Sequence, residues 1–133
     1  MAILKDKRNI ASPFSNEAQL VRVSYDFAND GGAIADYDVL EAKSNCLVEL
    51  VNIDVKTAVT GGAGAVVDLG KGAGGIEFKS DLAAVTIAVD TQIQADTVGK
   101  IVELADTEKI VMGVEVGAIT AGKVEFLFKV YSR

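Results

Sequence analysis

Leu20–Phe27 reads LVRVSYDF, and its apolar side chains recur at every second residue. Val21, Val23, Tyr25 and Phe27 share one face, with Arg22, Ser24 and Asp26 on the other. EKIVMGVEVG (108–117) aligns Ile110, Met112, Val114 and Val116 in the same way. KVEFLFKVY (123–131) aligns Val124, Phe126, Phe128 and Val130 against Glu125, Leu127, Lys129 and Tyr131. Three period-two segments rich in β-branched and aromatic residues predict strands. CLVELVNIDV (46–55) predicts a fourth, but its parity changes midway: Val48 and Leu50 are out of phase with Val51, Ile53 and Val55. A bulge near Glu49–Leu50 restores the phase.

Weaker patterns predict strands over 33–40, 65–69, 82–89 and 98–104. Turn residues separate them: Asn29-Asp30-Gly31-Gly32, Ser44-Asn45, Thr60-Gly61-Gly62, the glycines of 70–75, and Thr120-Ala121-Gly122. No sustained stripe of period 3.6 predicts a core helix. About eight short strands at this spacing predict an all-β chain, an antiparallel β-sandwich or jelly roll.

Residues 1–18, MAILKDKRNIASPFSNEA, stand apart. They show no period and hold Pro13, the only proline. The predicted organisation is therefore an extended N-terminal arm (1–18) followed by a β-sandwich domain (19–133). Such a segment reads either as a frayed terminus or as an arm whose Ile3, Leu4, Ile10 and Phe14 dock on a neighbouring surface. The arm also carries Lys5, Lys7 and Arg8 against Asp6. The first ten residues are thus net +2 and the remainder net −8, within a total of −6.

That acidic balance disfavours nucleic acid and anionic membranes as partners. At 133 residues the chain suits one domain, and 50% hydrophobic against 24% charged residues argues for a folded one. Cys46 is the only cysteine, so no intrachain disulfide forms. The absence of histidine excludes Ser-His-Asp and Cys-His nucleophile systems. The N-terminus lacks a secretory pattern, and the longest nearly apolar run, 82–89, is far shorter than the roughly 20 residues of a spanning helix. A soluble protein made inside the cell is the expectation. A mean hydropathy of +0.30 favours further apolar burial between subunits.

The glycine-rich stretch 57–75, TAVTGGAGAVVDLGKGAGG, invites a phosphate-binding reading. Gly70–Gly75 satisfies G-x-G-x-x-G literally, but such a site needs a helix opening at its last glycine. The following IEFKSDLAAVTIAVD is β-branched and carries no helical stripe. A P-loop fails as well, because Gly72 stands where a magnesium-binding Ser/Thr belongs. The expected role is to turn the chain. Asp36 and Asp38, with Asp26 and Asp30 nearby, offer oxygen ligands but lack the spacing of a calcium loop. No catalytic, cofactor-binding or metal-binding residue is expected, and no enzyme activity.

Tyr25-Asp26-Phe27-Ala28-Asn29-Asp30-Gly31-Gly32-Ala33 resembles the opening motif of small structural proteins of tailed bacteriophages. The order of features that follows is similar too: Val55-Lys56-Thr57-Ala58 before a Gly-Gly hairpin, Val66–Gly70, Ile110–Val116, and Ala118–Val124 before a last aromatic strand. The likeness covers roughly residues 20–131. It implies a capsid decoration (cement) protein or another minor head protein, commonly trimeric, on the capsid surface of a virion and made in the host cytoplasm. The implied partners are the major capsid protein and the chain itself as a homotrimer, with no nucleic acid, membrane or cofactor. Residues 1–18 precede the first matching strand, where members of the family often begin. Candidate contact residues are Leu4, Lys5, Lys7, Arg8, Ile10 and Phe14 of the arm, together with Leu127 and Tyr131 on the second face of the last strand. That face is either an interface or packed within the sandwich. The alternatives are a tail-tube, head-fibre or baseplate component and a surface glycan-binding module.

Overall fold

The computed structural model describes residues 2–10 and 18–132. Its elements run β1 (Ala2–Ile10), β2 (Gln19–Asp26), the single helical turn α1 (Phe27–Asp30), β3 (Ala35–Ala42), β4 (Cys46–Gly61) and β5 (Val66–Lys71). They continue with β6 (Lys79–Ala83), a 3-10 turn (Ala84–Thr86), β7 (Gln92–Ile93), β8 (Ile101–Leu104), β9 (Lys109–Glu115) and β10 (Ile119–Ser132). One sheet has the order β1-β3-β9-β5-β6. The other has the order β2-β10-β4-β7, with β8 also paired to β4. The chain is all-β, as its period-two segments predict.

Alternation explains which side chains meet. Val124, Phe126, Phe128 and Val130 of β10 are all buried, and they join Ile110, Met112 and Val114 of β9 in one core that draws on both sheets. Phe78, between β5 and β6, packs on Phe128 with ring centroids 6.1 Å apart. The parity change in β4 is a bulge at Val51. Asn52 pairs with Leu127 and Leu50 with Phe128, so Val51 has no partner of its own. Even-numbered residues point inward before it (Cys46, Val48, Leu50) and odd-numbered ones after it (Ile53, Val55).

Two expectations need correction. Residues 2–10 are not an arm but edge strand β1, paired parallel to β3, which makes the first sheet mixed. Leu4 and Ile10 are buried in the chain's own core, 1% and 3% exposed. Irregular pairing between Ile3 and Arg8 breaks the alternation that would have marked a strand. The predicted strand over 82–89 ends at Ala83 and gives way to the 3-10 turn.

The segment 25–33 forms the corner that carries the chain from β2 to β3. Asp26 caps α1 by accepting from the Ala28 N–H. The Tyr25 hydroxyl donates to the Gly31 carbonyl at 2.7 Å and that of Tyr37 to the Ala33 carbonyl at 2.8 Å. The two rings meet edge to face at 6.1 Å. Gly31 sits at φ +76°, which favours glycine. A Cβ on Gly32 would lie 2.0 Å from the Ile119 carbonyl oxygen. Asp30 then uses both carboxylate oxygens on backbone donors: Oδ1 accepts from Lys5 N–H at 2.7 Å and Oδ2 from Asp26 N–H at 2.9 Å. Asp6 of β1 in turn accepts from Ser24 N–H of β2 at 2.8 Å. Two carboxylates thereby stitch the edge of one sheet to the edge of the other.

Hydrogen bonds to a charged acceptor contribute about 1.5–3 kcal/mol each, less where solvent reaches them. Asp30→Ala should therefore lower stability by about 2 kcal/mol and speed amide exchange in residues 2–10 before the rest of the core. Hydrogen-exchange mass spectrometry of the variant checks this, and uniform exchange across both sheets would refute it.

Candidate functional site

The candidate contact residues separate once the fold is known. Leu4 and Ile10 face inward, so neither is available to a partner. The basic residues of β1 remain at the surface but are engaged. Lys7 pairs with Glu41 at 2.9 Å, Arg8 pairs with Asp6 at 2.8 Å, and the exposed Lys5 is held through its backbone N–H. Phe14 lies outside the described residues. Leu127 and Tyr131 fall on the outer face of the second sheet and are partly exposed.

Gly70 ends β5, and Gly72–Gly75 begin the connection to β6, a strand where a nucleotide site would open a helix. Gly75 N–H closes the turn on the Gly72 carbonyl at 3.0 Å, with Gly72 and Gly74 at positive φ. The Lys71 N–H, an amide of the kind that cradles phosphate, donates to Glu77 Oε1 at 2.9 Å. The protein's own carboxylate occupies that donor. Asp26, Asp30, Asp36 and Asp38 are not gathered into one site either: the first two belong to the corner, and Asp38 pairs with Lys109 at 3.0 Å.

Cross-strand register makes a surface of the second sheet's outer face. Lys129 pairs with Leu20 on one side and Glu49 on the other, and Glu49 pairs with Ile101. Leu127 lies between Arg22 and Asn52, while Tyr131 pairs with Leu47. Leu20 is 62% exposed and Ile101 49% exposed. Five apolar side chains (Leu20, Leu47, Ile101, Leu127, Tyr131) are therefore interleaved with Arg22, Glu49 and Lys129. The Tyr131 hydroxyl donates to Glu49 Oε1 at 3.1 Å, a bond that, with burial, raises the phenol's pKa.

A different surface forms where four connections meet at one end of the two sheets. Gly62 N–H donates to the Ala118 carbonyl, Ile119 N–H to that of Gly32, and Ala84 N–H to that of Ala65. These bonds join residues 31–34, 62–65, 84–91 and 116–118. Carboxylate oxygens of Asp68, Asp81 and Glu115 approach within 4.8 Å of one another beside this end. Sharing a hydrogen bond with Asp68 raises the Glu115 pKa, and the charges of Asp68, Asp81 and Asp36 add to the rise. Sequence reasoning missed this cluster because its three members come from β5, β6 and β9, and only register sets them side by side.

No family model matches the sequence, and no curated protein or solved structure matches it.

Two groups give opposite pH dependences. Hydrogen bonds from Lys43 and then Lys7 hold the Glu41 carboxyl down to about 2. Its contribution to holding β1 is thus present above the ordinary carboxyl range and lost as pH falls toward 2. Glu115 is shifted upward, so ionising it opposes folding at neutral pH, and that cost disappears in acid. Glu115→Gln should consequently raise the melting temperature at pH 7 and leave it unchanged near pH 3. Glu41→Gln should lower it at pH 7 and by less near pH 3, the difference closing as pH falls toward 2. Melting curves across that range check both signs.

Proposed function

We propose that this chain is a non-enzymatic structural protein of a bacteriophage virion. It decorates and stabilises the capsid as a cement protein, built as a β-sandwich or jelly roll and assembled as a trimer. The observation that carries the proposal is the outer face of the second sheet, where Leu20, Leu47, Ile101, Leu127 and Tyr131 are partly or largely exposed. Burying a large apolar side chain from full exposure contributes about 1.5–3 kcal/mol. A stable interface occupies about 800 Å² per partner, so this face suits contact with a sister subunit through its apolar residues and the charged ones between them. Lys129 and Glu49 offer charge to such a contact, whereas Arg22 is already paired with Glu125 at 2.8 Å.

The resemblance supports the same reading. The residues that carry it, Tyr25 to Ala33, are those that build the corner, which accounts for the pattern Y-D-F-A-x-D-G-G-A in terms of folding rather than binding. The proposal assigns the corner to the scaffold and the recognition to the surfaces.

Two measurements test it. Native mass spectrometry should give three times the 13.9 kDa subunit mass, and Leu127→Asp should shift the protein to monomer while its circular dichroism stays β-dominated. Electron microscopy of the protein mixed with its own capsid should add density on the outer shell. A sixfold ring in solution would favour a tail-tube component instead. A monomer that leaves the capsid bare would refute the proposal.

A further inference from the structure

The end of the molecule formed by residues 31–34, 62–65, 84–91 and 116–118 combines three features that each work against the isolated protein. The first is uncompensated charge. Eight salt bridges are described, and none includes Asp36, Asp81, Asp90 or Glu115, all within or beside this end; Asp26, Asp30 and the buried Asp68 also lack a cation but accept backbone N–H donors. Those four connections contain no lysine or arginine.

The second feature is exposed aliphatic surface. Val85 is 83% exposed, Val116 70% and Ile34 58%. Ile34 and Val116 flank Glu115, and Val85 belongs to a neighbouring connection. A Cβ on Gly64 would lie 3.2 Å from Val116 Cγ1, and one on Gly61 would lie 3.5 Å from the Cβ of Ala84, next to Val85. Ala35 pairs with Val114, which brings Ile34 beside Glu115.

The third is backbone strain. Val116 sits at φ +69° in the turn between β9 and β10. A β-branched residue is the least suited to the left-handed region, and Gly117 is its neighbour in the same turn. The strain holds an aliphatic side chain in water beside a crowded carboxylate. Strained residues and unpaired charges in one place mark surfaces kept for contact, at the expense of stability.

We infer that this end docks onto a protein surface that is basic and carries an apolar depression. Given the function proposed above, on which the inference rests, that surface is the outer face of the capsid shell. The opposite charge neutralises Asp81 and Glu115, while the depression takes Val116 and Ile34 out of water. Anionic partners such as nucleic acid or acidic lipid are repelled by the same carboxylates. The two surfaces then divide the work: the second sheet's outer face joins copies of the chain, and the acidic end faces the shell.

Two variants separate docking from folding, because each relieves a cost in the free protein. Val116→Gly removes the left-handed strain, and Glu115→Gln removes the charge repulsion. Both should melt at a higher temperature than the parent at pH 7 yet bind its decoration-free capsids about tenfold more weakly. Parent binding should also weaken as salt is raised. If the parent binds and both variants bind equally well, the inference fails while the proposed function stands. If the parent does not bind capsid, both fail. Calcium titration supplies a further arm: a micromolar affinity in the parent that Glu115→Gln abolishes would assign the carboxylates to an ion and overturn the inference.

Discussion

The carboxylate of Asp30 ties the first strand of the polypeptide to the end of the second. It accepts from Lys5 N–H of β1 and from Asp26 N–H at the end of β2, so one side chain joins an edge strand of each sheet to the turn between β2 and β3. Without it β1 would lose one of its two carboxylate ties to β2, and an edge strand is the element most prone to open. Asp6 completes the closure through Ser24 N–H. Parallel pairing requires a connection that travels from one end of a strand back to the same end of its partner. Here that return path runs through β2 and the corner. The corner therefore does more than reverse the chain: it permits the N-terminal segment to be part of the fold.

The same closure changes how residues 2–10 contribute to recognition. Leu4 and Ile10 lie in the core, and the side chains of Lys7 and Arg8 are held by Glu41 and Asp6. What a partner meets on this edge is a strand whose charges are largely satisfied. Uncompensated charge accumulates at the end where the glycine-rich turns meet, because those turns supply close backbone packing and no long cationic side chains. Apolar exposure divides between that end and the outer face of the second sheet. The proposed assembly uses both, and their different chemistry, one mixed in charge, the other acidic, suits two different partners.

Much of the fold was legible in the sequence. The alternation of 20–27, 108–117 and 123–131 marked β2, β9 and β10, since a side chain on a half-buried strand has only two directions. The phase break in 46–55 marked a bulge within one residue of Val51. Asn29–Gly32 and the glycines of 70–75 read as turns, and the chain does turn at both places, through the helical turn α1 with Gly31 and through Gly72–Gly75. β1 was illegible because its pairing is irregular and its neighbour lies 35 residues away in the chain. Leu127 and Tyr131 were placed on the second face of their strand by parity alone, and the structure leaves them partly exposed there.

What sequence alone determined is therefore the local layer: which residues alternate, where the chain must turn, and which chemistries its composition withholds. Tertiary structure decided everything that depends on register between distant strands. It set Asp68, Asp81 and Glu115 within 4.8 Å of one another and joined four separate connections into one end. It also turned the basic N-terminal segment into an edge strand that sends Leu4 and Ile10 into the core. The physical reason is that pattern fixes a side chain's direction relative to its own backbone, whereas neighbours across a sheet are chosen by the summed burial of all the strands at once.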